Sequence, residues 1–285
     1  MTTSTTVESD GARLHVITEG EGPAVLLLHG FPHTWRVWSA VIPTLAETHR
    51  VIAPDLRGLG DSERAVSGYD ARSLAGDALC ILDALDVDHA AVVAIDAAVT
   101  PAFMLALENP DRVDRLVLME GMIGALPGAE AFVPGGPPWW FGFHAVPDLA
   151  ETVLEGHESE YIEYFLRTGT HDGRGVEPEI RDAFIEAYRG RHSLRSAFEH
   201  YRALAANAAQ VAQAVRTRRL RVPTLAIGGR TVAGATAAQL EPLTDHLEAR
   251  LLPDSGHIIP LDRPRELLEL LHPFLGGQGD LRRSG

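Results

Sequence analysis

The amino-acid sequence predicts an α/β fold, in which a mostly parallel β-sheet is flanked by helices and interrupted by an inserted α-helical cap. Short runs of β-branched residues and leucine alternate with longer helical patterns, and this alternation is typical of βαβ units. Between Leu118 and Val222 the strand runs stop. A loop rich in proline and glycine, Leu126–Pro138, is followed there by helical patterns alone, which indicates a helical insertion in the sheet.

Seven strands are predicted, and several are nearly continuous hydrophobic runs, as expected of strands buried on both faces of a sheet. They are Arg13–Thr18, Ala24–Leu28, Arg50–Ala53, Ala90–Ile95, Arg115–Met119, Pro223–Ile227 and Ala249–Leu252. The helices predicted in the insertion are Val146–Glu155, Glu158–Thr168, Glu177–Tyr188 and Ser193–Val215. We therefore assign residues 1–126 and 216–285 to the core and residues 127–215 to the cap.

The composition limits the classes of partner. A chain of 285 residues can bury a large core. Its net charge of −14 argues against nucleic acid and against an anionic membrane, since both attract clustered lysine and arginine. The single cysteine, Cys80, excludes an internal disulfide. Because the chain has no signal-peptide features and no apolar run of the roughly 18 residues that span a membrane, we expect a cytoplasmic monomer or homodimer that binds a small molecule.

The segment His29-Gly30-Phe31-Pro32 directly follows a predicted buried strand. A Gly-Phe-Pro turn at this place can direct a backbone N–H group into a cleft at the carboxyl edge of the sheet, where open α/β sheets bind ligands. Since glycine turns after strands are common, this motif alone does not identify a site.

The segment Ala94-Ile95-Asp96-Ala97-Ala98 lies between a predicted strand and an apolar helix. A sharp strand-to-helix turn that exposes its central residue needs small residues two positions before and after it, and Ala94 and Ala98 are small. With aspartate at the centre, the predicted chemistry is attack by a carboxylate to give a covalent ester. The alternative is that Asp96 only caps the following helix, a role that also suits aspartate.

Two further titratable residues end predicted strands. Glu120 follows the strand that ends at Met119, where it is either a solvated strand end or the partner of a histidine. His257 lies on a glycine-containing loop just after the last strand, where it is either exposed or able to reach a nucleophile. Taken with Asp96, these residues give the chain order of nucleophile, acid and histidine that is known for α/β-hydrolases.

These motifs resemble those of the epoxide hydrolase and dehalogenase branch of the α/β-hydrolase superfamily, and the similarity covers nearly the whole chain. The matching stretches outside the predicted cap are His29–Trp35, Pro54–Ser62 and Asn109–Glu120. In the cap, Trp139–Phe141 and Phe198–Arg202 also match. The resemblance implies the α/β-hydrolase fold, in which an aspartate forms an ester and a histidine–carboxylate pair activates the water that hydrolyses it.

The resemblance leaves the position of the acid to be chosen. Many relatives carry it after the next strand, but that stretch here has no carboxylate before Glu241 and Asp245, which fall in a helical pattern. Elimination favours Glu120, which also matches the position that a subset of epoxide hydrolases uses. Asp96 is then the expected nucleophile and His257 the expected base.

The sequence departs from the dehalogenases just after the nucleophile. Haloalkane dehalogenases bind halide with a tryptophan directly after the aspartate, where this chain has Ala97. Haloacetate dehalogenases hold the substrate carboxylate with arginines, and neither Ala97 nor Thr100 is arginine. Both dehalogenase interpretations therefore lose support. The chain also departs from the family in general, because relatives usually have His-Asp-Arg or His-Asp-Trp where this chain has Ile95-Asp96-Ala97.

In the cap, the resemblance implies two donors to the opening epoxide oxygen. Epoxide hydrolases use two tyrosines, or a histidine and a tyrosine. Tyr201 matches one position and Trp140 the other, and an indole N–H is also a donor. The alternative is that both side chains only pack inside the cap. The N–H groups of Phe31 and Ala97 are the expected oxyanion hole, a contribution of about 2.7–4 kcal/mol per donor where tested.

We therefore expect an epoxide hydrolase that converts an apolar or aromatic epoxide into a vicinal diol through an ester on Asp96, without a metal or cofactor. The residues expected to line the substrate pocket are Pro32, His33, Trp35, Trp139, Phe141 and His200. Three alternatives stay open: a dehalogenase, a non-hydrolytic enzyme in which Asp96 is a base, and a ligand receptor without catalytic activity.

Overall fold

The computed structural model describes residues 2–130, 132–133 and 136–276, and an eight-stranded sheet runs through them. The strands are β1 (Thr3–Ser9), β2 (Ala12–Glu19), β3 (Ala24–Leu28), β4 (Arg50–Pro54), β5 (Ala90–Ile95), β6 (Val113–Met119), β7 (Thr224–Gly228) and β8 (Leu247–Leu251). Their order is β1-β2-β4-β3-β5-β6-β7-β8. The pairs β1–β2 and β2–β4 are antiparallel, and the other five pairs are parallel. The predicted fold class is confirmed.

One strand, β1, was not predicted from the sequence. The seven predicted strands lie within two residues of their observed bounds, whereas the segment Thr3–Ser9 was not predicted as a strand. Only Val7 of this strand is fully buried, so its sequence has no hydrophobic run and only a weak alternation. An edge strand that pairs through its backbone with β2 needs few apolar side chains.

Helices cover the sheet and fill the segment between β6 and β7. They are α1 (Ile42–Leu45), α2 (Ala71–Ala84), α3 (Val99–Glu108), α4 (Trp139–Ala145), α5 (Leu149–Leu154), α6 (Glu158–Thr168), α7 (Pro178–Ala187), α8 (Arg191–Arg202), α9 (Leu204–Ala214), α10 (Ala235–Leu240), α11 (Ile259–Asp262) and α12 (Pro264–Gly276). We refer to α4–α9 as the helical insertion. The predicted boundaries of core and cap, after residues 126 and 215, remain predictions. No helix in the described ranges is long and apolar enough to cross a membrane.

The insertion differs from the prediction at α8, α9 and α4. The single helix predicted over Ser193–Val215 is two helices that meet at Ala203. No proline or glycine marks this break in the sequence, so the helical pattern runs through it. The helix α4 was not predicted, because its seven residues contain Gly142 and five aromatic or histidine residues of low helix propensity.

The centre of the sheet fixes the position of the site. All six residues of β5 are buried, and the neighbouring strand β3 is buried at four of five positions. Because β3, β5, β6 and β7 are parallel neighbours, their carboxyl ends lie along one edge of the sheet. The residues that follow these strands therefore meet at that edge, as ligand-binding residues do in open α/β sheets.

Candidate active site

Asp96 lies at a sharp turn between β5 and a short 3₁₀ helix, Asp96–Ala98, that leads into α3. Its φ angle of 58° is in the left-handed region that non-glycine residues rarely adopt. Neither the 3₁₀ helix nor α3 has a side-chain cap, so the capping alternative for Asp96 is wrong. A strained backbone at this place directs the carboxylate away from the helix, into the space beyond the sheet edge.

Two glycines that follow the neighbouring strands β3 and β6 make room for this turn. A Cβ atom on Gly30 would lie 2.2 Å from Asp96 Oδ1, and one on Gly121 would lie 2.5 Å from the Asp96 carbonyl oxygen. Ala94 and Ala98, the small residues that the sequence predicts around this turn, are fully buried. The two glycines were missed, because their contact with Asp96 is made across strands and not along the chain.

The His257 ring lies between two carboxylates. Its Nδ1 is 3.1 Å from Glu120 Oε2, and its Nε2 is 3.0 Å from Asp96 Oδ2. The structure thus brings together the three residues that the sequence placed in the order of nucleophile, acid and histidine. The His257 side chain is 19% exposed, so the interpretation of a freely exposed loop histidine is wrong.

Glu120 is fully buried, which overturns the alternative that it is a solvated strand end. The N–H group of Gly229 donates to its Oε1 at 2.6 Å, and the N–H group of Val232 lies 3.2 Å from both carboxylate oxygens. The segment after β7, which lacks a carboxylate of its own, therefore supplies two backbone donors to this one. A buried carboxylate needs such partners, and with them it can hold His257 in a fixed orientation.

The electrostatics of this cluster favour an ion pair. Burial alone would lower the pKa of His257, but the hydrogen bonds and charges of Asp96 and Glu120 raise it to about 10. Burial alone would raise the pKa of Asp96, but the hydrogen bond and charge of His257 outweigh burial and hold it below its ordinary value. At neutral pH the site contains an imidazolium beside an ionised Asp96 carboxylate, which is the form that can attack an electrophile.

Backbone N–H groups meet the other side of the Asp96 carboxylate. The N–H group of Phe31 donates to Asp96 Oδ1 at 2.7 Å. The N–H group of Ala97 has no hydrogen-bond partner among the described residues, and Ala97 lies in the wall of the cavity. The two expected oxyanion-hole residues thus flank the carboxylate, where one donor is engaged and the other is free.

A cavity of about 650 Å³ opens over Asp96 and reaches the helical insertion. Its wall is mostly apolar. The expected site residues found in the wall are Phe31, Pro32, His33, Asp96, Ala97, Glu120, Trp140, Phe141, His200, Tyr201 and His257. A cavity of this size and character suits a small apolar molecule.

Two residues expected in the pocket, Trp35 and Trp139, are not in its wall. The Trp35 ring packs against the Arg36 guanidinium, with 4.9 Å between the Arg36 Cζ and the ring centroid. Trp139 is 56% exposed, whereas its neighbour Trp140 lines the cavity. Consecutive residues of an α-helix point about 100° apart, so α4 can direct only one of its first two tryptophans inward.

Tyr201 and Trp140 lie in the cavity wall with unused donors. No described residue forms a hydrogen bond with the Tyr201 hydroxyl or with the Trp140 indole N–H. The Tyr201 ring packs edge-on against Phe31, at 5.6 Å between centroids, and the Trp140 ring packs likewise against Phe165, at 5.4 Å. Burial, followed by the Asp96 charge, raises the pKa of Tyr201 well above its ordinary value, so its hydroxyl keeps its proton.

Most other polar groups of the wall are already engaged. The His200 Nε2–H donates to the Arg57 carbonyl at 3.0 Å, and burial lowers the pKa of His200 to about 4. His33 is an exception, because both of its ring nitrogens are buried without a hydrogen-bond partner among the described residues, and burial lowers its pKa to about 3. Both histidines are therefore neutral wall residues.

One group of described residues could hold a metal ion, and it lies outside this cavity. His15, Asp55 and Asp61 bring their ligand atoms within 4.8 Å of one another. Asp55 Oδ2 is 2.9 Å from His15 Nδ1 and accepts the Asp61 N–H at 3.0 Å. These contacts use the carboxylate oxygen that a metal would need, so the group is explained as a hydrogen-bonded cluster.

Comparison with known proteins agrees with the observed fold. Residues 23–264 match the family described as the alpha/beta hydrolase fold. The soluble epoxide hydrolase of Corynebacterium sp. (strain C12) is 30% identical over 272 residues, which cover 93% of this chain and 94% of that protein. Among solved structures, Cfl2 from Burkholderia cenocepacia has a TM-score of 0.89 at 30% identity, covering 96% of both chains. The Cif epoxide hydrolase from Acinetobacter nosocomialis has a TM-score of 0.88 at 26% identity, covering 96% of this chain and 89% of that one.

Proposed function

The chain belongs to the α/β-hydrolase family and is a hydrolase of the epoxide hydrolase type, and we propose from this premise that it adds water to an apolar or aromatic epoxide through a covalent ester on Asp96, giving a vicinal diol. The observation that carries the proposal is the His257 ring, which bridges Asp96 and Glu120 at 3.0 and 3.1 Å at the base of an apolar cavity. This arrangement supplies a nucleophile and, in the next step, a base.

In the first step, Asp96 Oδ2 attacks an epoxide carbon and the bond from that carbon to the epoxide oxygen breaks. Oδ1 keeps its hydrogen bond from the Phe31 N–H group and becomes the carbonyl oxygen of the ester. The opened oxygen accepts hydrogen bonds from Tyr201 and Trp140, whose donors have no other described partner. The electrophile thus lies between a carboxylate on the sheet edge and two donors on the helical insertion, which acts as a cap.

Protons and charges balance at the end of this step. Ring opening creates one alkoxide, and ester formation removes the Asp96 charge that helps to hold His257 protonated. The pKa of His257 therefore falls when the ester forms. The proton that the histidine releases is the proton that the alkoxide requires, so the second step begins with a neutral imidazole and a hydroxy ester.

In the second step, His257 takes a proton from a water molecule, and the resulting hydroxide adds to the carbonyl carbon of the ester. The N–H groups of Phe31 and Ala97 stabilise the oxyanion, by about 2.7–4 kcal/mol per donor. Collapse of the tetrahedral intermediate breaks the bond from its central carbon to the substrate oxygen. This oxygen takes the proton of the added hydroxyl group, so that the diol leaves and the Asp96 carboxylate is restored beside the imidazolium. Glu120 keeps the ring in place throughout, because it is itself fixed by two backbone donors.

The wall of the cavity supports an apolar substrate. Several polar side chains in the wall already form hydrogen bonds within the protein; they are Tyr69, Thr100, His200 and Asn207. A substrate with many hydroxyl groups or charges would lose its hydration without compensation there.

The test is intact-protein mass spectrometry of the His257→Gln variant, incubated with styrene oxide, 1,2-epoxyhexane and 1-bromohexane. We expect the protein mass to rise by the mass of the whole epoxide, because attack does not need the base, and the ester to persist because its hydrolysis is slowed about 10²–10⁴-fold. The double variant Asp96→Asn/His257→Gln is the control and should give no adduct. An adduct from the bromide alone would instead assign a dehalogenase, and no adduct from any compound would contradict a nucleophilic Asp96.

A further inference from the structure

The loop that carries His257 is held at both amides that flank the histidine. The N–H group of Gly256 donates to Asp262 Oδ2 at 2.6 Å, and the N–H group of Ile258 donates to the Gly169 carbonyl at 2.9 Å. We call residues 255–258 the base loop. Of these two hydrogen bonds, the first depends on a side chain, that of Asp262. This residue lies at the end of α11 and does not belong to the cavity wall.

The Asp262 carboxylate joins two parts of the chain. Besides Gly256, its Oδ2 atom accepts the N–H group of His171 at 3.0 Å. His171 belongs to the segment that follows α6 in the helical insertion. The Asp262 side chain is only 8% exposed, so solvent screens these charge-assisted hydrogen bonds weakly. One oxygen atom thus connects the base loop to the insertion.

The two segments are in direct contact around this oxygen. A Cβ atom on Gly256 would lie 2.4 Å from the Gly169 carbonyl oxygen, and one on Gly169 would lie 2.9 Å from Ile258 Cγ1. Thr168 and Gly169 are also in the cavity wall. The base loop is therefore packed, without free space, against a segment that faces the substrate.

We infer that Asp262 is a positioning residue, which sets the place of His257 for the hydrolysis of the ester through the Gly256 N–H group. The inference rests on the function proposed above. The attack on the epoxide is made by the Asp96 carboxylate and assisted by the donors of the insertion, whereas hydrolysis requires the His257 Nε2 atom to meet a water molecule beside the ester. A displacement of about 1 Å can slow such a step about 10²-fold.

The experiment compares Asp262→Asn with Glu266→Gln, which removes the charge of an exposed carboxylate in the first turn of α12. Asp262→Asn keeps the shape of the side chain but removes its negative charge, which strengthens the hydrogen bonds of Oδ2 with the two N–H groups. With styrene oxide in single-turnover reactions, we expect ester hydrolysis in Asp262→Asn to slow about 10–100-fold, with alkylation within about threefold of wild type. The Glu266→Gln variant should match wild type in both steps, and Asp262→Glu should recover part of the hydrolysis rate.

A second measurement separates this inference from the proposed function. The proton resonance of the His257 Nδ1–H group, assigned by its loss in His257→Gln, should shift or broaden in Asp262→Asn and stay unchanged in Glu266→Gln. If no ester forms in any variant, the proposed function fails, while this resonance still tests the position of the ring. An unchanged resonance with unchanged hydrolysis would overturn the inference, as would an equal loss of both rates together with a lower melting temperature.

Discussion

On the sheet side of the cavity, Asp96, Glu120 and His257 are joined by hydrogen bonds that fix every carboxylate and both ring nitrogens. On the insertion side, Tyr201 and Trp140 are held only by the packing of their rings, and their donors have no described partner. In the proposed mechanism, the steps that create and remove charge thus depend on this hydrogen-bond network. The stabilisation of the leaving oxygen rests on side chains that ring packing alone keeps in place, so replacements should separate the two sides.

The largest effect is expected from Glu120→Gln, on the sheet side. The variant should slow turnover about 10²–10⁴-fold, because the histidine loses the charge that orients it, and the ester should accumulate since hydrolysis suffers more than alkylation. Steady-state kinetics and the mass of the protein during turnover measure this. The Asp245→Asn variant is the control, because Asp245 pairs with Arg219 at 3.2 Å and not with the histidine. If Asp245→Asn were inactive and Glu120→Gln active, the assignment of Glu120 as the acid would be wrong.

A smaller effect is expected on the insertion side, from Tyr201→Phe. Its alkylation rate in the His257→Gln background should fall about 10²-fold, the loss that one donor to a developing oxyanion produces. Trp140→Phe should cost less, because an indole N–H at neutral pH stabilises charge but transfers no proton, and the double variant should be slowest.

Both replacements keep an aromatic ring, so melting temperatures should stay close to wild type. Tyr164→Phe is the matched control, because Tyr164 also lines the cavity but is 46% exposed. Equal alkylation rates in wild type and Tyr201→Phe would mean that Tyr201 serves only packing.

The smallest effect is on stability, and it concerns the charge of His257. The pKa of this residue is about 10 in the folded protein against 6.5 ordinarily, so folding favours the protonated ring. The resulting stabilisation is complete below pH 6.5 and is lost as the pH rises towards 10. Between pH 7 and pH 10, wild type should therefore lose more melting temperature than His257→Gln, by about 2–4 °C for each kcal/mol. Parallel pH profiles for the two proteins would show that the ring is not charged at rest.

The difference between the sheet side and the insertion side also explains how much of the site could be predicted from the sequence. Asp96, Glu120 and His257 each follow a strand, and parallel strands end at one edge, so the sequence predicted that they meet. The choice of Glu120 also depended on elimination and on the family resemblance. The donors from Gly229 and Val232 were not predicted, because a backbone N–H leaves no mark in the sequence. In the insertion, the orientation of Trp139 and Trp140 depends on the rotation of α4, a short helix that the pattern did not reveal.

The close approach of Gly30 to Asp96 also bears on how such a chain can evolve. A methyl group at residue 30 would overlap both Oδ1 and Cβ of Asp96, at 2.2 and 2.6 Å. The same methyl group would lie 2.7 Å from the backbone nitrogen of Ala97, so any other residue at position 30 would displace the Asp96 side chain and the turn that carries it. Evolution can therefore replace Gly30 only together with a change in this turn, whereas the exposed Trp139 is free of such a constraint.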